Sequence, residues 1–242
     1  MSDNLQPRGS DDTTLVQPMF TPIKRRSFFM YAGATAGATA LVLAGCSKDA
    51  VTPTSSAISL GSGDVGVLNY AYALEQLEAA FYAQVVKTPA GDFQTGELAY
   101  FTEVAAHEAI HRDFFKAAIN RDAPGKLLQN LTPNFTSIDF TKRASVLSTA
   151  KTFEDLGVAA YNGAGKLIKT AAYLVIAGQI VSVEARHAAY IRDLLDTTGK
   201  AFAGDDQVDP ITGLDKAMMP MDVIVAAQAY ITEKLDASTV GK

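Results

Sequence analysis

Cysteine is nearly absent from this chain of 242 residues: Cys46 stands alone. A lone thiol excludes an intrachain disulfide and any zinc or iron–sulfur site assembled from clustered thiolates. Concentrated positive charge is missing too. The net charge is −5, and no basic patch offers a footprint for nucleic acid. The uncharged stretch from Ser27 to Gly45 is rich in Ala, Gly and Thr, but its apolar part is short for a bilayer span. Histidine numbers only three, so the placing of those three carries weight. What the chain does have is 48% apolar residues against 19% charged ones, enough for a sizeable globular core.

Two of the three histidines follow a glutamate by three residues, in Glu108-Ala109-Ile110-His111 and Glu184-Ala185-Arg186-His187. With 8 Glu in the chain, chance would produce that doubling roughly three times in a thousand. On a helix, positions i and i+3 share a face, about 5–6 Å apart at Cβ, so the two side chains can converge on one ion. Carboxylate with imidazole suits Fe, Mn or Zn. A lone Glu in an apolar stretch precedes each motif: Glu75 before the first, Glu154 before the second.

The apolar periodicity predicts four helices. Leu68, Ala71, Glu75, Glu78, Tyr82 and Val85 lie on one face. Phe101, Val104, Glu108, His111, Phe115 and Ala118 form a second such face. Leu147, Ala150, Glu154, Gly157, Tyr161 and Ala164 form a third, and Ala177, Ile180, Glu184, His187, Ile191 and Leu194 a fourth. In each, ionisable residues occupy the stripe that packs inward. An unpaired buried carboxylate costs several kcal/mol, so four of them call for a compensating cation. Two divalent ions bring four charges of the required sign. The connections read short, long, short, the long one running from about Arg121 to Asp139 with Pro124, Gly125 and Pro133. The halves also repeat: Glu75 and Tyr82 align with Glu154 and Tyr161, and Glu108 and His111 with Glu184 and His187. One Glu from each of two helices and Glu-x-x-His from each of two others is the ligand set of ferritin-like di-iron and di-manganese bundles. The expected fold is therefore all-α: a ferritin-like four-helix bundle over residues 64–198, with one long crossover between helices two and three. Residues 199–242 add a C-terminal helical extension, a polar loop and then a fifth helix around Met221–Leu235. Met218, Met219 and Met221 are expected to pack on the bundle.

Residues 1–46 read as an export signal. Lys24-Arg25-Arg26-Ser27-Phe28-Phe29 is a twin-arginine pattern built on Arg25 and Arg26, with Lys24 where Ser or Thr usually stands. Leu43-Ala44-Gly45-Cys46 resembles the lipobox of bacterial lipoprotein precursors, which implies lipidation of Cys46. Residues 47–63, rich in Ser, Thr, Gly and Ala, read as a flexible tether. The expected location is outside the cytoplasm, in the cell envelope or periplasm, held to a membrane by a lipid anchor. The bland alternative is an uncleaved signal anchor.

Leu74-Glu75-Gln76-Leu77-Glu78-Ala79-Ala80-Phe81-Tyr82 resembles the first-helix signature of bacterial ferritin-like domain proteins related to plant desiccation-related proteins. Phe153–Tyr161 and Val183–His187 resemble the third and fourth helices, and the likeness covers about residues 64–198. It implies Glu75, Glu108, His111, Glu154, Glu184 and His187 as ligands to two divalent ions, Fe or Mn. Glu78, whose counterpart in the repeat is Gly157, is a candidate seventh ligand, a carboxylate that moves with metal redox state, or a partly solvated residue. Tyr82 and Tyr161 either hydrogen-bond ligand carboxylates or are ordinary core tyrosines. His107 is expected to form a surface pair with Glu103. The resemblance implies redox chemistry on O2 or peroxide, of ferroxidase, peroxidase or catalase type, in stress protection. A non-catalytic desiccation-related scaffold or metal-binding envelope protein is the competing class. A homo-oligomer is compatible with either.

Overall fold

The computed structural model describes residues 57–242. The twin-arginine segment, Cys46 and the first part of the tether lie outside the described residues. Four long helices dominate: α1 (Gly63–Lys87), α2 (Glu97–Asp122), α3 (Arg143–Gly165) and α4 (Ala171–Leu195). The short turns between α1 and α2 and between α3 and α4 make each pair antiparallel. Glu75 of α1 meets Tyr161 of α3 while Tyr82 meets Glu154, so α1 and α3 run antiparallel as well.

That arrangement forces the connection from α2 to α3 to travel the length of the bundle. It does so along α1, held by two buried amides. The Asn69 side chain donates to the Lys126 carbonyl and accepts from the Leu128 N–H, at 2.8 and 2.9 Å. One level further on, Gln76 accepts from the Leu131 N–H at 2.9 Å. Further still, Phe81 packs against Phe135 and Phe140. Covered by the crossover as well as by its neighbours, α1 buries residues on nearly every side from Gly66 to Ala79. This suits its apolar sequence, since a helix hydrophobic all round belongs inside. At its first turn Asp64 accepts from the backbone N–H groups of Lys169 and Thr170, both at 2.8 Å. It thereby satisfies donors at the start of α4 that no helical carbonyl can reach.

The C-terminal extension differs from its expectation in extent. The fifth helix, α5, spans only Pro220–Ala227, followed by a 3-10 turn over Gln228–Tyr230. The apolar pattern continues, but the Gln228 side chain donates to the Ile231 and Glu233 carbonyls and accepts from the Leu235 N–H. Side-chain bonds of this kind compete with the helix for the backbone. The chain then extends into a two-residue strand, β2 (Leu235–Asp236), paired in parallel with β1 (Ile58–Ser59). Leu60 beside it is fully buried. Residues 58–63 thus belong to the folded domain rather than to a tether reaching Gly63. Of the three methionines only Met218 packs against the core; Met219 and Met221 are exposed. Its backbone N–H donates to the Ala159 carbonyl of α3 at 2.8 Å. A Cβ at Gly163 would stand 1.8 Å from the Met218 carbonyl oxygen, so the extension can dock only over a glycine. Among the described residues, no helix is long and apolar enough to cross a membrane.

Candidate metal centre

The four long helices bring all six expected residues to one place. Glu75, Glu108, Glu154 and Glu184 are fully buried, and His111 and His187 nearly so. Their donor atoms fall into two overlapping sets, Glu75, Glu108, His111 and Glu184, and Glu108, Glu154, Glu184 and His187. Within each set the donors lie within 4.8 Å of one another, close enough to hold a metal ion. Glu108 and Glu184 belong to both sets. Nδ1 of His111 lies 2.8 Å from Glu184 Oε1 and 3.3 Å from Glu108 Oε2. Nδ1 of His187 lies 3.0 Å from Glu108 Oε1 and 3.5 Å from Glu154 Oε2. The internal repeat is therefore an approximate two-fold relation in space, with Glu75 and Glu154 at opposite ends.

The tyrosines of the repeat complete the relation crosswise. Tyr82 of α1 donates to Oε1 of Glu154 at 2.5 Å, and Tyr161 of α3 donates to Oε1 of Glu75. Each leaves the other oxygen, Oε2, without a hydrogen-bond partner. The same holds for Glu108 Oε1, both oxygens of Glu184, and Nδ1 of His187. An unsatisfied buried polar atom costs roughly 1–3 kcal/mol, more if charged. Six such atoms, spread over the two overlapping sets, fit bound cations, and they are oxygen and imidazole donors suited to first-row divalent metals.

Protonation without metal is skewed by burial. Desolvation, together with the charges on Glu184 and Glu108, pushes the Glu75 carboxyl well above the usual range. Glu154 is also raised, burial outweighing its contact with His187. Burial works against the charge on Glu184, but His111 and His187 beside it hold its carboxyl down at about 2. The imidazoles respond in kind. Burial opposes their charge, yet the adjoining carboxylates raise His111 to about 9 and His187 to about 12.

Glu78 is buried rather than partly solvated, and its carboxyl too is raised by desolvation and by the surrounding glutamates. It lies outside both donor sets. A Cβ on Gly157 would stand 3.0 Å from its Oε1, so the missing side chain in the repeat is what makes room for it. His107 requires a correction. It turns not to Glu103 but to α4, where its Nδ1 lies 2.9 Å from Nε2 of His187 and the two rings stack. A metal ion on Nδ1 of His187 would leave the ring proton on Nε2, which then donates to His107. The hundred-degree step from Glu108 to His107 aims it along the neighbouring helix, and only the spacing of α2 and α4 reveals that. Two buried ions, Glu97 and Arg192, also escape sequence reasoning. Glu97 receives the Arg143 guanidinium at 2.6 Å, tying the starts of α2 and α3. Arg192 of α4 reaches Asp155 of α3 at 2.7 Å.

No curated protein matches the chain. The family model of the ferritin-like domain matches residues 63–197, from the first residue of α1 to just past the end of α4. It covers more than half of the chain, including every helix that contributes to the buried cluster, and the chain belongs to the ferritin-like domain family.

Proposed function

We propose that this protein binds two divalent ions, iron or manganese, between its four helices and uses them in redox chemistry on O2 or peroxide. Glu75, Glu108, His111, Glu154, Glu184 and His187 are the proposed ligands. The observation that carries the reading is the set of six buried donor atoms without hydrogen-bond partners, all on residues of the two overlapping Glu/His sets. When bound, such a pair of ions supplies electrons in twos to an oxygen substrate. The chain's own part is positional. Tyr82 and Tyr161 each hold one oxygen of a terminal carboxylate and leave the other toward the ion. Glu108 and Glu184 reach both sets. The chain provides no cysteine cluster to act as an internal electron donor, so the reductant comes from outside. Export through the twin-arginine signal and a lipid at Cys46 would place the centre in the envelope, as part of stress protection.

Elemental analysis of protein made with its own leader tests the metal directly. Two equivalents of Fe or Mn per chain are expected. Protein without bound metal would favour the scaffold reading.

His107 offers a second test. A partner on the outer nitrogen of a ligand histidine fixes its tautomer and orientation, and losing it typically costs about 10–100-fold in metal affinity. His107→Ala is expected to weaken binding of the ion next to His187 by about that factor, while Glu103→Ala leaves affinity unchanged. Competition against a chelator of known affinity measures both. Equal affinities in the two variants would remove His107 from the site.

A further inference from the structure

An apolar cavity of about 30 Å³ is lined by α1, by Phe115 of α2, by α3 and by the start of α4. Its inner wall is formed by Leu74, Phe115 and Tyr161. Leu74 precedes Glu75, Phe115 lies one turn beyond His111, and Tyr161 donates to Glu75. The wall is thus the outer side of the Glu75–His111 half of the cluster. Toward the start of α4 it is lined by Ile168, Tyr173 and Ala177, which are half-buried, as Tyr161 is.

Size and polarity together select the occupant. By this measure a water-sized particle needs about 10–15 Å³. There is room for a diatomic molecule and none for a quinone or a fatty acyl chain. Water itself needs two to four polar partners. Of the three lining tyrosines, Tyr161 is engaged with Glu75 and Tyr173 with Asp122. Only the buried Tyr70 hydroxyl is left without a partner. A cavity with one polar atom suits a small, nearly apolar guest. Hydrogen peroxide, which needs several hydrogen-bond partners, gains nothing from such a path.

We infer that this cavity is a port for dioxygen, admitting the gas at the start of α4 and delivering it behind Glu75 and Tyr161. The port rests on the proposed metal chemistry for its purpose, but not for its existence. Small side chains keep it open: Ala71, Ala160 and Ala164 line it, and so does Ala177 of α4.

The test begins without metal. Dissolved dioxygen is paramagnetic and speeds the relaxation of nearby nuclei. In metal-free protein, the methyl resonances of Ala71, Ala160 and Ala164 should relax several-fold faster under oxygen than core methyls elsewhere, such as that of Ala150. Ala177→Leu should abolish the difference. This half-buried position is chosen so that the fold survives, with Ala164→Leu as an inner plug. After loading with Fe(II), oxidation by dioxygen should slow about tenfold in the plugged variants, as for a blocked access step. Oxidation by peroxide should keep its wild-type rate. No enhanced relaxation in the unmodified protein would overturn the port. So would a wild-type rate with dioxygen in a variant whose enhancement is gone. Failure to bind iron at all would overturn the metal reading alone, and the relaxation measurement would still decide the port.

Discussion

Glu184→Ala is expected to empty the centre of both metal ions, whereas Glu75→Ala removes one. The difference follows from geometry. Glu184 offers oxygens to both donor sets, and both are buried without a hydrogen-bond partner. Its Oε1 is the carboxylate atom nearest His111, and its Oε2 lies 3.7 Å from His187. Removing it strips a shared anionic ligand from each ion and leaves two positive ions to repel each other across a void. Glu75 serves only the set that contains His111, so its loss should leave Glu108, Glu154, Glu184 and His187 in place. Glu154→Ala should mirror it, sparing His111. Metal per chain, measured on purified variants with helix content checked by circular dichroism, decides the matter. Retention of two ions by Glu184→Ala would refute its role as a shared ligand. A Glu75→Ala variant as empty as Glu184→Ala would show instead that the two sites fill only together.

The bundle and its cluster were legible in the sequence because both rest on local periodicity. Glu75, Glu108, His111, Glu154, Glu184 and His187 sit in apolar stripes, and a helix turns such a stripe inward wherever its partners stand. Proline and glycine marked the crossover, and antiparallel pairing follows from short turns. What escaped depends on contacts between distant segments. The β1–β2 pair joins residues far apart in sequence, and neither two-residue strand carries a period of its own. His107 owes its role to the distance between α2 and α4. Gln228 ends a helix that its apolar neighbours would continue, by donating to the Ile231 and Glu233 carbonyls further along the chain. Nothing near Glu97 and Arg192 in sequence identifies their partners across the bundle, Arg143 and Asp155. The Glu78–Gly157 mismatch was visible in the repeat, but the burial of Glu78 was not.

Metal binding should strengthen steeply with pH, and the stability of metal-free protein should move the other way. In the folded chain without metal, the carboxyls of Glu75, Glu78 and Glu154 titrate well above their ordinary value of 4.5. Where the unfolded chain has released these protons, the folded one keeps them. Their contribution to stability therefore falls as pH rises above 4.5. His111 and His187 act in the same direction. Raised from 6.5 to about 9 and about 12, they contribute fully below 6.5 and lose that contribution as pH climbs through their folded values. Glu184, lowered to about 2, opposes them only on the acid side, its contribution disappearing as pH falls below 4.5. Metal-free protein should thus be most stable in mild acid and weaken from there toward pH 9. A divalent ion must displace the protons on its ligands, so each proton released changes affinity about tenfold per pH unit. Release of about two protons would give roughly a hundredfold change per unit. Calorimetric titrations in buffers of different ionisation enthalpy count the protons, and melting curves with and without metal give the stability. The rise in Tm on adding metal should be far larger at pH 8 than at pH 5.5. Uptake that releases less than one proton, or a metal-free protein that gains stability up to pH 9, would contradict a cluster that stores protons until metal replaces them.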